Sequence, residues 1–135
     1  MNTKMRELVT STVQVSVLSP ELAEVLDLGF VDRDGCILLA KEANKAKREA
    51  SMDAIGYECF VNHLHIKSFP MAKLFANELV AALARAFPDK FVVILSFDGN
   101  TATVRFHKDR AGTPWLDVNV LEAFKEDAVG VLYSN

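Results

Sequence analysis

Phe91-Val92-Val93-Ile94-Leu95-Ser96-Phe97, Asp98-Gly99-Asn100 and Thr101-Ala102-Thr103-Val104-Arg105-Phe106-His107 read in succession as strand, turn and strand. An Asp-Gly pair between two β-rich runs is a strong short-range hairpin signal, because glycine takes the positive φ that a tight turn requires. The elements on either side are then expected to pack on this hairpin. Upstream, Ser68 and Pro70 open a helix in which Met71, Leu74, Phe75, Leu79, Leu83 and Phe87 recur at three- and four-residue steps before Pro88 stops it. Downstream, Asp109 to Trp115 contains Gly112 and Pro114 and reads as a loop. It leads to Asn119-Val120-Leu121-Glu122, a variant capping box, and a helix with Leu121, Phe124 and Ala128 on its inner face. Val129 to Tyr133 reads as a last short strand.

In the first half, Glu7 to Leu18 places Val13, Val15 and Val17 opposite Thr12, Gln14 and Ser16, the period of a half-buried strand. Ser19-Pro20-Glu21 starts a helix carrying Leu22, Val25 and Leu26, which Gly29 ends. Phe30-Val31 and Cys36 to Leu39 form two short strands around the turn Asp32 to Gly35. Ala40 to Met52 is rich in helix formers, with Lys45 and Glu49 at the i,i+4 spacing. Tyr57 to Ile66 alternates again and predicts a strand, with Phe60, Leu64 and Ile66 on one face and Cys59, Val61, His63 and His65 on the other. The sum is one α+β domain over residues 1–135, a mainly antiparallel sheet with several helices packed on it.

A chain of 135 residues with 50% hydrophobic and 24% charged residues buries a self-sufficient core. Its net charge of −3, spread over both halves, lacks the basic stripe of a nucleic-acid binder. No apolar window matches a signal peptide core or a membrane span, so a cytoplasmic location is expected. Cys36 and Cys59 form neither a disulfide framework nor a CxxC knuckle, and two reduced, buried thiols are expected.

The nearest approach to a metal motif is His63-x-His65, because alternate strand residues point the same way, with His107 on the hairpin as a further ligand if its strand is adjacent. No nearby acid completes a recognised spacing, so no metal and no cofactor are expected. A catalytic cysteine is not expected either. Cys59 and His63 would be two strand repeats apart, and neither thiol has the electropositive setting that activates it. Phosphate-loop, GxSxG and HExxH motifs are all missing.

Interface-type residues gather instead in the last third. Lys108, Asp109, Arg110 and the sole tryptophan, Trp115, share one loop, and Asp117, Glu122, Glu126 and Asp127 form an acidic face opposed by Lys125 alone. Such a face suits a cationic partner. Val104 to Lys108, Gly112 to Leu116 and Leu121 to Val129 together resemble the C-terminal part of bacterial immunity proteins of polymorphic-toxin and contact-dependent growth inhibition systems. That resemblance implies a non-enzymatic cytoplasmic protein that binds one cognate toxin and occludes its active site. It does not carry over individual contact residues. Two other classes compete: a small-molecule- or metal-binding domain, with or without turnover, at the His63 and His65 face, and a structural subunit that self-associates through an edge strand.

Overall fold

The computed structural model describes residues 2–11, 15–44, 53–110 and 128–134. In chain order the elements are α1 (Thr3–Ser11), α2 (Pro20–Leu28), β1 (Phe30–Arg33), β2 (Cys36–Leu39), α3 (Ala54–Val61), β3 (Leu64–Ile66), α4 (Phe69–Ala86), β4 (Phe91–Phe97), β5 (Ala102–Lys108) and β6 (Ala128–Ser134). They build an α+β fold with a two-stranded sheet, β1-β2, and a four-stranded sheet in the order β3-β5-β4-β6, antiparallel throughout.

The hairpin at residues 91–108 is as expected, with Phe97 opposite Ala102 and Gly99 at φ 96°. The Asp98 carboxylate closes the turn by accepting the Asn100 and Thr101 N–H groups, each at 2.8 Å. These bonds hold the acid below the usual carboxylate range. The preceding helix, α4, starts at Ser68, whose Oγ accepts the Met71 N–H at 3.3 Å, and it lays Ala72, Phe75, Ala76, Leu79 and Leu83 across the sheet. From the sheet it meets Phe91, Val93 and Leu95 of β4, and Val104 and Phe106 of β5. β6 is the predicted final strand, one residue longer at each end.

The small hairpin also forms, with a tighter turn than Asp32 to Gly35. Strand pairing runs to Arg33 and Cys36, leaving Asp34 at φ 54° and Gly35 at φ 85°. Two successive left-handed residues are what a two-residue hairpin loop needs to match strand twist. Phe30 anchors this hairpin to the large sheet, its ring edge-on to Phe87 at 5.7 Å and Phe106 at 5.9 Å. Pro20 and Gly29 bound α2 as read, but Ser19 supplies only its backbone carbonyl, to Ala23, while its N–H donates to the Met71 sulfur.

Two strand assignments fail. Residues 3–11 are helical: Asn2 caps the helix through its Oδ1, which accepts the Met5 N–H at 3.0 Å, and Met5, Leu8 and Val9 reach the core at helical spacing. Val15 to Leu18 has no regular structure, and Val17 is 75% exposed, so the alternation there reflects no sheet, while Thr12, Val13 and Gln14 lie outside the described residues. Residues 54–61 form α3, not the first half of a strand, and only Leu64 to Ile66 is extended. This short helix is buried on several sides, at Ile55, Tyr57, Glu58, Cys59 and Val61, so its apolar pattern lacks a single stripe and mimics a strand. Its start signal is Asp53, which accepts the Gly56 N–H at 2.6 Å. Residues 40–44 form turns, and the rest of the helix expected up to Met52 lies outside the described residues.

Candidate functional site

Glu58 and Asn62 stand one helical turn apart at the end of α3, between the edge of β2 and the part of β5 that extends beyond β3. Both are buried, Glu58 completely. One carboxylate oxygen of Glu58 accepts the Ile37 N–H at 2.7 Å, and the other accepts the Lys108 N–H at 3.1 Å and a guanidinium N–H of Arg110. Asn62 accepts the Leu39 N–H at 2.9 Å and donates to the carbonyls of Ile37 at 2.8 Å and Phe106 at 3.4 Å. Two side chains thus serve as the missing strand for two sheet edges at once. Sequence reasoning did not find them; a polar i,i+4 pair inside an apolar segment was the available signal.

Arg110 is the outer half of this bridge. Besides Glu58 it donates to the Gly35 carbonyl at 3.2 Å, tying the small hairpin's turn to the end of β5. Burial pulls its guanidinium down, but the hydrogen bond and charge of Glu58 outweigh that and leave it above the ordinary arginine value. Arg110 is therefore half-buried, with its guanidinium engaged by Glu58 and the Gly35 carbonyl. Asp109 is exposed and Lys108 half-buried, and Asp109 meets Lys90 at 3.8 Å and donates its N–H to the Lys90 carbonyl at 2.8 Å. Lys90 in turn sits 4.5 Å from the centre of the Tyr133 ring, which is 46% exposed. Lys90 and Tyr133 were not singled out from sequence, because only the β4–β6 register brings them together. Trp115, Asp117, Glu122, Glu126 and Asp127 lie outside the described residues.

The three histidines do not converge. His63 and His65 are neighbours, with ring centres 5.2 Å apart, and Phe60 lies 6.1 Å from His63. His63 Nδ1 donates to the Phe60 carbonyl at 2.6 Å, and His65 Nδ1 contacts Thr103 Oγ1 at 3.2 Å. His107 is four residues along β5 from Thr103, roughly 13 Å at strand rise, and is buried with its Nδ1 donating to the Lys108 carbonyl. Among the described residues no group of three His, Cys, Asp or Glu side chains is placed to hold a metal ion. Cys59 does not share a strand face with His63 and His65, since it is on α3 and buried while His65 is exposed. Burial pushes its thiol up to about 12, against the opposing pull of Arg105 and with a smaller push from Glu58 and Asp53. Cys36 and Cys59 are both buried and neither forms a disulfide. A cleft of about 320 Å³ between α1 and the β4–β5 turn is lined by Lys4, Glu7, Phe97 and Asp98 among others.

The architecture thus defines a small α+β protein whose two sheets are joined by buried polar side chains. The chain belongs to the uncharacterized protein PM0498 family, whose model matches residues 1–135. No curated protein and no solved structure matches it. No helix among the described residues is long and apolar enough to cross a membrane.

Proposed function

We propose that the protein is a non-catalytic binding protein that neutralises a cognate protein toxin in the bacterial cytoplasm by occluding its active site. The observation that supports this reading is the division of labour between interior and surface. The groups best suited to chemistry are engaged in holding the fold: Glu58 with Arg110, His107 on a backbone carbonyl, and Cys59 with a thiol held neutral. A thiol with a raised pKa offers almost no thiolate at neutral pH and is a poor nucleophile. The groups left at the rim include aromatic side chains of the kind enriched at protein interfaces, Tyr133 beneath Lys90 and Phe60 beside His63, with Asp109 next to Lys90. The acids Asp117, Glu122, Glu126 and Asp127 add negative charge in sequence that suits a basic partner.

The test is titration of the purified protein with the product of the gene adjacent to its own, together with growth rescue when the two are expressed in one cell. A cognate complex is expected to be weakened by charge reversal at Asp109 and by the double change Glu122→Lys, Glu126→Lys. Absence of binding and of rescue refutes the reading.

A further inference from the structure

Of the three histidines in the chain, two are in contact. His63 directly precedes β3 and His65 lies within it, and their ring centres are 5.2 Å apart with the planes at 78°. His65 is exposed and His63 half-buried, whereas His107 is buried. Toxin binding uses His63 only as the neighbour of Phe60 and gives the contact between the two imidazoles no role.

Each of the two rings is oriented through the same nitrogen. Nδ1 of His63 is 2.6 Å from the Phe60 carbonyl oxygen, which can only accept, so Nδ1 carries the proton and the lone pair of the neutral ring is on Nε2. Nδ1 of His65 is 3.2 Å from Thr103 Oγ1, and a hydroxyl oxygen can accept the same bond. The β3–β5 register fixes Thr103 opposite His65. A histidine that ligates a metal through one nitrogen nearly always donates its other N–H to an oxygen, which sets the tautomer and aims the ring. Both rings have that support.

Their spacing suits one particular coordination geometry. Two imidazoles that meet one ion at about 2.0–2.1 Å and the tetrahedral angle have ring centres roughly 5 Å apart, whereas a right-angled pair has them about 4.5 Å apart. The observed 5.2 Å matches the tetrahedral case, the geometry that zinc takes with nitrogen ligands. We infer that His63 and His65 bind one zinc ion through their Nε2 atoms, with the Phe60 carbonyl and the Thr103 hydroxyl as outer supports. Among the described residues no third His, Cys, Asp or Glu is placed to join them. The remaining positions take water or another donor, so this is an exchangeable surface site and not a closed structural one.

The experiment uses the full chain without a polyhistidine tag, and zinc chloride alone as the probe. Calorimetric titration is expected to show one site per chain. In NMR spectra the ring signals of His63 and His65 should shift together while those of buried His107 stay in place. Thr103→Val keeps the side-chain shape and both imidazoles, and is expected to weaken binding about tenfold, the lower end of what loss of an outer support costs. His63→Gln and His65→Gln each remove a ligand and should weaken it further. If a variant fails to fold, the ring signals of the unmodified chain decide. No binding below about 1 mM zinc overturns the inference, as does binding that leaves the His63 and His65 signals unmoved. So does an affinity that Thr103→Val or either glutamine variant, once folded, leaves unchanged. Toxin binding is assayed separately with a chelator present, so the two proposals stand or fall independently.

Discussion

Replacing Glu58 with glutamine preserves side-chain volume and removes the charge from the centre of the bridge between the sheets. The carboxylate receives three donors: Ile37 N–H on one oxygen, Lys108 N–H and Arg110 on the other. A glutamine amide has one acceptor oxygen, so its NH₂ must face an N–H donor on one side. The smaller loss leaves one buried backbone N–H unsatisfied, roughly 1–3 kcal/mol. Breaking a fully buried ion pair costs about 3–5 kcal/mol, but the Arg110 side chain is 25% exposed and water repays part of that, so roughly 1–2 kcal/mol is appropriate here. Together these give about 3 kcal/mol. For 135 residues the unfolding entropy per residue converts this to a fall in Tm of about 10 °C. Urea unfolding followed by circular dichroism measures it, and a double-mutant cycle with Arg110→Gln should show a coupling of about 1–3 kcal/mol. A Glu58→Gln protein within about 1 kcal/mol of the original, or a cycle without coupling, refutes the claim that this carboxylate holds the two sheets together.

Asn2→Ala removes the α1 cap and the link to Val129 together, and should cost about 2 kcal/mol in the same assay, with faster exchange of the Val129 amide as the local signature. For Cys59, the folded pKa of about 12 lies above the value of an exposed thiol, so the folded state keeps its proton longer. Its contribution to stability is complete below the ordinary thiol range and is lost as pH rises towards 12, so stability falls in alkali and Cys59→Ala flattens that fall. Iodoacetamide at about pH 8 should spare both thiols in the folded protein and alkylate both in urea, and rapid alkylation of the folded protein contradicts their burial.

Elements whose local chemistry agrees with their packing are legible from sequence. The Asp98 and Gly99 turn and the Ser68 and Pro70 helix start each solve a local hydrogen-bonding problem in the way the tertiary structure also needs. Segment 54–66 is not legible in this way. A helix wedged between two sheets is apolar on several sides, and the purpose of Glu58 and Asn62 is defined by strand edges more than twenty residues away on one side and more than forty on the other. Arg110 was recognisable as an unusual residue, but sequence could not say that its partner is buried. The same limit applies to Tyr133 and Lys90, which meet only through the register of β4 and β6.

The strand order β3-β5-β4-β6 has a consequence for the newly made protein. β4, Phe-Val-Val-Ile-Leu-Ser-Phe, is the most apolar strand of the sheet and gains its second neighbour only when residues 128–134 have been synthesised. Until then a nascent chain with its hairpin formed offers a sticky ribbon on one side, the kind of surface that chaperones cover and that seeds misassembly. Release from that hazard comes only once β6 has emerged from the ribosome. A sample cut short before β6 is therefore expected to come out in inclusion bodies, not as a soluble, slightly weakened monomer.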